Sequence, residues 1–416
     1  MTKIYPLLLS LTILALLTAC SEANEEKGSA AGITDIPALL LRPVALQSAA
    51  EWEQTQNGYS RLANELRTQD PQGVEPRITL AKIFINEARV TGEHGHYYPA
   101  ALRMLDEAIS LNRDGARNPN HEFDALAARA SVLLSQHEFR QALATAREAV
   151  AINPYNAQVY GAIVDANVEL GNYPEAIAAA DKMNEIRPDL RSYSRVSYLR
   201  EIHGDPDGAI EAMERAVRAG APGYESTAWA RLTLGELYNR YGQPDRAAEE
   251  YAAILRERPN YPFALAAQAN LAIDAGDLRQ AEDKLKEAIS IIPEVGYYIQ
   301  LAELYKGQGR TRELQELETD IMGMLEDDVA SGHNMDMEYA MLYRDLYEDF
   351  EKALLYSERE YAARPGNIDV NRLMASVLMK LGKEDQARQH LAVAASTDSR
   401  HPELFGLRDR LGLATK

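Results

Sequence analysis

The feature that most constrains the fold of this chain is a regular alternation of glycine and proline. Prolines recur about every 34 residues, with one double interval, at Pro154, Pro188, Pro222, Pro259, Pro293 and Pro365. Glycines keep the same interval, out of phase with the prolines, at Gly171, Gly204, Gly242, Gly276, Gly309 and Gly382. Glycine permits a tight turn, and proline ends a helix. The pattern therefore predicts a repeated unit of two helices.

The apolar residues between these breaks follow a helical period. After Gly276, for example, Leu278, Ala281, Leu285 and Ala288 fall on one stripe, because steps of three and four return to the same helix face. Small residues stand five positions after the turn in six units, where they allow two helix backbones to approach closely: Ala142, Ala176, Ala209, Ala247, Ala281 and Ala387. No stretch follows a sustained strand period, so the sequence predicts an all-α fold.

The repeated unit resembles the tetratricopeptide repeat (TPR). The clearest copy, residues 228–261, carries Leu234, Gly235, Tyr238, Gly242, Ala247, Tyr251 and Pro259 at the family's positions. The resemblance implies a right-handed superhelical solenoid of antiparallel helix pairs. We predict about eight units over residues 123–401, N-terminal helices with a degenerate unit over residues 43–122, and a capping helix within residues 402–416. A capping helix covers the last apolar face of such an array.

The first twenty residues predict export from the cytoplasm. A positively charged start precedes an apolar run at residues 7–17. The run is shorter than the roughly 20 residues that span a bilayer, and it is typical of a signal peptide. The tetrad that ends in Cys20 (Leu-Thr-Ala-Cys) resembles the lipobox of bacterial lipoproteins, in which the signal is removed before an acylated cysteine. The alternative is an ordinary secreted protein with a chance cysteine at the cleavage site.

The lipoprotein resemblance implies an organisation for the N-terminus. Residues 1–19 form the signal peptide, and residues 20–42 comprise the acylated Cys20 and a flexible tether. Ser21 after the cysteine implies a lipid anchor in the cell envelope, at the periplasmic face of the outer membrane. The nearby acidic residues Glu22, Glu25 and Glu26 are a weaker indication of export to the cell surface.

Composition and motifs exclude several classes of function. One cysteine rules out a disulfide framework, and a net charge of −19 argues against a nucleic-acid partner. His94 and His96 are weak metal candidates within residues 90–99, which we interpret as an enlarged, solvated turn, and no further metal ligand is apparent. No phosphate loop, nucleophile elbow or zincin motif is present, so the sequence predicts neither an enzyme nor a cofactor.

The TPR resemblance implies a binding surface on the first helices of the units. Transferring the family's groove positions selects Gln158, Asp165, Glu169, Tyr198, Trp229, Glu236, Asn239, Arg240, Asn270, Asp274, Glu303 and Lys306. Aromatic anchors among polar residues suit a binding surface, although Tyr198 and Trp229 are equally expected if they only pack between units. The carboxylate clamp of chaperone-binding TPR domains is absent. The acidic residues indicate a partner with a basic stretch, or else only keep the protein soluble.

These observations favour a protein–protein interaction scaffold of the cell envelope, which binds other envelope proteins or extended peptides. One alternative is an accessory lipoprotein of a pilus, secretion or exopolysaccharide-export machine. Another is a small-ligand or glycan binder, which would need a closed, aromatic-lined pocket rather than an open groove.

Overall fold

The computed structural model describes residues 35–47 and 49–412, without the side chains of residues 49 and 50. Cys20, the predicted signal peptide and most of the predicted tether lie outside the described residues. Within them, twenty α-helices and a short 3-10 helix, Val44–Leu46, make up all the regular secondary structure. The predicted all-α solenoid of antiparallel helix pairs is confirmed. No helix in the described part has the length and apolar character needed to cross a membrane.

Eighteen of the helices form nine antiparallel pairs, which we number along the chain from pair 1 to pair 9. The first helices of the pairs are α2 (Val74–Thr91), α4 (Pro119–Ser135), α6 (Ala157–Glu169), α8 (Leu190–Ile202), α10 (Glu225–Arg240), α12 (Pro262–Asp274), α14 (Val295–Gly307), α16 (Asp336–Asp345) and α18 (Ile368–Lys380). The second helices are α3 (His94–Asp114), α5 (Phe139–Ile152), α7 (Tyr173–Ile186), α9 (Pro206–Ala219), α11 (Pro244–Glu257), α13 (Leu278–Ile291), α15 (Thr311–Ala330), α17 (Phe350–Ala363) and α19 (Glu384–Ala394). Helix α1 (Ala49–Thr68) precedes the pairs and α20 (Pro402–Arg410) closes the array.

Small residues let the two helices of a pair lie close together. The six predicted alanines, Ala142, Ala176, Ala209, Ala247, Ala281 and Ala387, have no exposed surface. In pair 5, Gly235 of α10 faces the ring of Tyr251 in α11, and a Cβ at this position would collide with that ring. Side chains are close-packed in such interiors, so even one added carbon matters. The sequence pattern therefore located the buried stripe correctly.

The turn inside each pair depends on a residue with a left-handed backbone. Gly171 and Gly276, for example, have φ values of 78° and 79°. In pairs 2 and 8 the same conformation is taken by His137 and Glu348, with φ values of 63° and 54°. Non-glycine residues adopt this region less readily. The glycine pattern therefore marks most of the turns but misses these two.

Two N-terminal segments differ from the sequence interpretation. Residues 35–42, which were assigned to the tether, pack against helices α1 to α3 at the start of the chain. The guanidinium of Arg42 is buried in an ion pair with Glu87 of α2 at 2.6 Å. The turn expected over residues 90–99 is short, because the left-handed Gly92 reverses the chain and α3 begins at His94. His94 and His96 therefore lie on the first turn of a helix and not on an enlarged loop.

The array coils so tightly that its successive turns touch. The turn inside pair 1 contacts the loop after pair 6. There, Gly92 lies close to the side chain of Ile292. One pair further on, His137 contacts the backbone carbonyl of Asn334, in the loop after pair 7, at 2.8 Å. Gly204 in pair 4 reaches the carbonyl of Asp398 after pair 9. We call these contacts, together with the one made by pair 3, the seam.

The seam is tightest where pair 3 meets the loop after pair 8. The backbones of Gly171 and Gly366 lie so close together that a Cβ on Gly171 would collide with the Gly366 carbonyl group. The hydroxyl of Tyr173 accepts a hydrogen bond from the backbone N–H of Ile368 at 2.8 Å. Arg364 forms an ion pair with Glu169 across the same contact. An open solenoid has contacts only between neighbouring units, whereas here the seam adds contacts between residues nearly 200 positions apart.

The seam predicts a difference between two glycines that the repeat pattern makes equivalent. Gly171→Ala and Gly276→Ala both place a Cβ on a left-handed residue, at a cost of about 1 kcal/mol. Only Gly171→Ala also pushes the two turns apart, because no atom lies within contact distance of a Cβ at Gly276. We expect Gly171→Ala to lower the melting temperature further and to speed proteolysis near residue 366. Equal melting temperatures for the two variants would contradict the seam.

Candidate partner-binding surface

The predicted groove residues lie on the first helices α6 to α14. Eight of them are exposed to solvent, namely Gln158, Tyr198, Trp229, Glu236, Arg240, Asn270, Asp274 and Glu303. The other four, Asp165, Glu169, Asn239 and Lys306, are half-buried. The helix pairing places these side chains in a row because each first helix packs beside the next one.

Several of these residues connect neighbouring first helices. Asp165 of α6 accepts two hydrogen bonds from the guanidinium of Arg195 in α8, at 2.8 and 2.5 Å. The amide of Asn239 donates to Asp274 at 3.1 Å, and Arg240 forms an ion pair with Glu201. A bidentate pair between an arginine and a carboxylate fixes geometry as well as charge. These polar groups hold the units together, so they are less available to a partner.

Two predicted groove residues have other structural roles. Glu169 is part of the seam, where it pairs with Arg364, and burial raises the pKa of its carboxyl group although the arginine opposes the shift. Lys306 donates to the backbone carbonyls of Asp345 and Leu346 at 2.9 and 3.0 Å, and it also pairs with Glu348 at 2.8 Å. It therefore holds the end of α16 in place.

Six of the predicted residues make no side-chain hydrogen bond or ion pair with any part of the chain that the structure describes. They are Gln158, Tyr198, Trp229, Glu236, Asn270 and Glu303. Trp229 and Tyr198 are 44% and 39% exposed. Burial by the surrounding helices raises the pKa of the carboxyl groups of Glu236 and Glu303. These side chains are the best candidates for contacts with a partner.

Two arginines of first helices were not among the predicted residues. Arg191, on the first turn of α8, forms no hydrogen bond or ion pair through its guanidinium with the described residues. Arg89 of α2 donates to the hydroxyl of Ser131 at 2.7 Å and takes part in no ion pair among those residues. Arg191 stands at the second position of its unit, as Gln158 and Trp229 do in theirs. That signal was present in the sequence.

Electrostatic interactions connect pair 1 with later pairs of the array. The pKa of Arg191 is lowered by burial and by the positive charges of Arg195, Arg89 and Arg187, although Asp189 opposes the shift. Arg89, which comes from pair 1, also lowers the pKa of Glu225 at the start of α10. Charges of pair 1 therefore act on pairs 4 and 5. We call the space inside the coil, beside the first helices, the lumen.

Two cavities are lined in part by residues of the first helices. One has a volume of about 290 Å³, and it is lined by Tyr155, Asn156, Ala157, Gln158, Met183, Ile186, Arg187, Asp189 and Arg191. The other, of about 180 Å³, lies where pairs 4 and 5 meet the last units, and it is lined by Tyr198, Glu201, Ile202, Arg240, Ile368, Asp369, Arg372, Ser399 and His401. Each cavity has one tyrosine in its lining, Tyr155 in the first and Tyr198 in the second.

The two histidines considered as metal candidates point to different neighbours. His94 stacks on Tyr98 with ring centroids 5.1 Å apart, and it also lies near His333 at 5.7 Å. The imidazole of His96 contacts the backbone carbonyl of Ala38 at 2.7 Å. Among the residues that the structure describes, no three His, Cys, Asp or Glu side chains are grouped so as to hold a metal ion. His94 therefore lies at the seam, beside His333 of the loop after pair 7, whereas His96 contacts the N-terminal segment.

Comparison with known proteins identifies the repeats. A family model described as the tetratricopeptide repeat matches residues 133–200 and 202–271. The prediction that the chain contains TPR repeats is therefore confirmed. Among solved structures, the chain is similar to a thermophilic TPR protein of Thermus thermophilus, with 20% identity, a TM-score of 0.40, and coverage of 48% of this chain and 98% of that one. It is also similar to PilW, a type IV pilus biogenesis factor, with 18% identity, a TM-score of 0.41, and coverage of 48% and 92%.

Two curated relatives carry the name cellulose synthase operon protein C. The protein from Pseudomonas fluorescens (strain SBW25) is 24% identical over 222 residues, which are 51% of this chain and 16% of that protein. The protein from Xanthomonas axonopodis pv. citri (strain 306) is 31% identical over 151 residues, or 34% of this chain and 10% of that protein. The aligned part of this chain therefore spans no more than about a sixth of each of these relatives.

The histidine cluster of the seam predicts an acid-sensitive contact. Burial, followed by the nearby His333, lowers the pKa of His94 from 6.5 to about 4, and burial also lowers the pKa of His333. The neutral imidazole is therefore favoured in the closed state. Its contribution to stability is complete above pH 6.5 and is lost as the pH falls from 6.5 towards 4. Burial raises the pKa values of Asp328 and Glu294, which act in the opposite direction.

Because these carboxyl groups oppose the effect of the histidines, the prediction concerns the difference in melting temperature between a variant and the unmodified chain. We expect the melting temperature of His94→Phe, relative to that of the unmodified chain, to rise as the pH is lowered from 7.5 through 6.0 to 5.0. His121→Phe, which lies outside the cluster, is the control and should show a difference that does not vary with pH. A constant difference for His94→Phe as well would rule out a role for this histidine in acid sensitivity.

Proposed function

We propose that this protein is a non-catalytic scaffold of the cell envelope that binds extended segments of other proteins in its lumen. The observation that carries the proposal is the row of solvent-accessible side chains without partners on successive first helices, including Trp229, Glu236, Asn270 and Glu303. Aromatic and polar groups that are held on rigid helices can bind a partner without a large loss of conformational entropy.

The structural role of the neighbouring residues supports this assignment. The residues that connect adjacent first helices, such as Asp165 and Arg195, already have their hydrogen bonds satisfied within the chain. The residues without partners stand between these connections, at corresponding positions of α8, α10, α12 and α14. A surface that only kept the protein soluble would not need aromatic side chains there, because isolated charges serve that purpose.

A second candidate function is favoured by the two relatives named cellulose synthase operon protein C. In this version the chain is an accessory lipoprotein of an exopolysaccharide-export machine, and its partner is a component of that machine. The two candidates share the same binding surface. They differ in the identity of the partner, which the following experiment is designed to recover.

We expect photo-cross-linking from the lumen to capture a protein partner in native membranes. A benzoylphenylalanine at Trp229 or Glu236 should give a discrete cross-linked species, whereas the same probe at Glu249, on the exposed face of α11, should not. Mass spectrometry of the species then identifies the partner. Equal cross-linking from Glu249, or only links within the chain, would contradict the scaffold proposal and favour a small-ligand binder.

The proposed location in the envelope rests on Cys20 and has its own test. If Cys20 is acylated, the protein should fractionate with membranes and be released by detergent, because each buried CH₂ contributes about 0.8 kcal/mol. Cys20→Ser should move the protein to the soluble fraction, and the mass of the N-terminal peptide should lose the added acyl groups. A Cys20→Ser variant that stays with the membranes would contradict a lipid anchor at this residue.

A further inference from the structure

The larger of the two cavities, of about 290 Å³, lies between pairs 3 and 4. Its lining comes from the start of α6 and the loop before it, the last turn of α7, the loop that follows, and the first turn of α8. The volume is near the lower limit of ligand pockets, which is about 300 Å³. The cavity therefore suits a single side chain better than a large ligand.

The lining of this cavity has an excess of positive charge. The guanidinium of Arg191 forms no hydrogen bond or ion pair with the described residues, so its N–H donors are available. Among the described residues of the lining, Asp189 alone has a carboxylate. One of its oxygens accepts hydrogen bonds from the backbone N–H groups of Arg191 and Ser192 at 3.0 and 3.1 Å. The other oxygen contacts Arg187 at 3.1 Å. Two guanidinium groups therefore accompany one carboxylate that already has partners.

The ion pairs beside the cavity do not neutralise Arg191. Arg195, one turn further along α8, bonds to Asp165 through two N–H groups, at 2.8 and 2.5 Å. Lys182 of α7 pairs with Glu185 at 2.9 Å. These carboxylates already serve other cations, which leaves Arg191 without an ion-pair partner in the part of the chain that the structure describes. A carboxylate bound beside it would supply that partner and could accept two parallel hydrogen bonds.

Other polar side chains of the lining can also donate hydrogen bonds. The amide group of Gln158 has no hydrogen-bond partner among the described residues. The side-chain oxygen of Asn156 accepts from the backbone N–H of Gln158 at 2.9 Å, and the NH₂ group of the same amide remains available. Met183 and Ile186 add an apolar part to the lining. Donors beside apolar surface suit a carboxylate on an aliphatic chain better than a bare inorganic ion.

A highly exposed tyrosine belongs to the same lining. Tyr155 is 80% exposed, and its hydroxyl forms no hydrogen bond with the described residues. A ring that is so exposed buries little apolar surface on folding, so it contributes little to stability. Tyr, Arg and Met are enriched in protein interfaces, and Tyr and Arg are frequent among the residues that dominate binding energy. The lining therefore has the composition of a site for part of a protein partner.

We propose that the cavity between pairs 3 and 4 binds an acidic side chain of a protein segment. The carboxylate would accept hydrogen bonds from Arg191 and Gln158, and a neighbouring apolar residue of the segment would contact Tyr155. This inference rests on the proposed function, because it names a group that the bound segment must present. The acidic groove residues indicated a partner with a basic stretch, but a basic side chain would be repelled at this cavity.

An unbiased peptide selection tests the proposal without a known partner. A phage-displayed library of random heptapeptides is selected on the full chain and, separately, on its Arg191→Gln and Arg256→Gln variants. Arg256 of α11 is the matched control, because it is also exposed and has no ion pair with the described residues, but it does not line the cavity. We expect peptides with Asp or Glu to be enriched on the unmodified chain and on Arg256→Gln, and not on Arg191→Gln.

Matched synthetic peptides then measure the contribution of the charge. In the most enriched peptide the acidic residue is replaced by its amide, and both peptides are titrated by isothermal calorimetry. We expect the acidic peptide to bind about fivefold more tightly, the upper range for a partly exposed ion pair. This preference should disappear in Arg191→Gln, whereas Tyr155→Ala should weaken both peptides equally, because it removes an apolar contact and no charge. These side chains are exposed, so we expect the variants to fold, and circular dichroism verifies this.

Sodium succinate distinguishes a free small acid from an acidic residue of a protein. At the concentration of the peptide, and at an ionic strength matched with sodium chloride, succinate should neither raise the melting temperature nor displace the peptide. Stabilisation by succinate that is lost in Arg191→Gln would assign the cavity to a small acid and would contradict the proposal.

The possible outcomes separate this inference from the proposed function. Acidic enrichment that depends on Arg191 and not on Arg256 would support the proposed site. Selected peptides of random or basic composition, absence of selected peptides, or equal enrichment on Arg191→Gln would overturn it. In those cases a discrete photo-cross-linked partner from Trp229 or Glu236 would still support the scaffold. Loss of that cross-link would overturn the scaffold itself.

Discussion

The contact between successive turns of the superhelix is the constraint on which the rest of this structure depends. At its tightest point the backbones of Gly171 and Gly366 meet, and the ion pair of Arg364 with Glu169 lies beside them. Helix pairs that contacted only their neighbours would form an open superhelix. The seam instead holds successive turns of the superhelix in contact. In this arrangement the charge of Arg89, in pair 1, lowers the pKa of Arg191 and the pKa of Glu225.

The candidate surface residues of the first helices divide into two groups. Some, such as Asp165 and Arg240, are bonded to the next first helix and hold the curvature of the array. Others, such as Trp229 and Glu236, have no partner in the described chain, although the coil surrounds them. A binding surface that is built this way is rigid, because the bonded groups fix the positions of the free ones.

The helix pairs could be predicted from the sequence, because each depends on local signals. The stripe of alanines and the glycine turns specify how two helices pack, and the structure has them where the pattern placed them. The seam could not be predicted in the same way, because it depends on a small rotation between units that accumulates over five pairs. Gly171 and Gly276 look alike in the sequence, yet only Gly171 lies against another turn.

The exposure of the candidate surface residues could be predicted from the repeat pattern, but their ion pairing could not. The family pattern selected Trp229, Glu236 and Glu303, and all three are exposed residues of first helices. The same pattern selected Glu169, which belongs to the seam, and it did not lead to Arg191. Whether a charge has a partner depends on side chains from other units and other turns, and this information is not present in a single repeat.

The most direct test of this account is a distance measurement across the seam. Spin labels at Asn172→Cys and Ala362→Cys, in a chain where Cys20 is replaced by serine, would report on the contact between pair 3 and the loop after pair 8. The account predicts a single, narrow distribution of short distances for the free protein in solution. A broad distribution centred at long distances would show that the turns are apart, and the seam would then not exist.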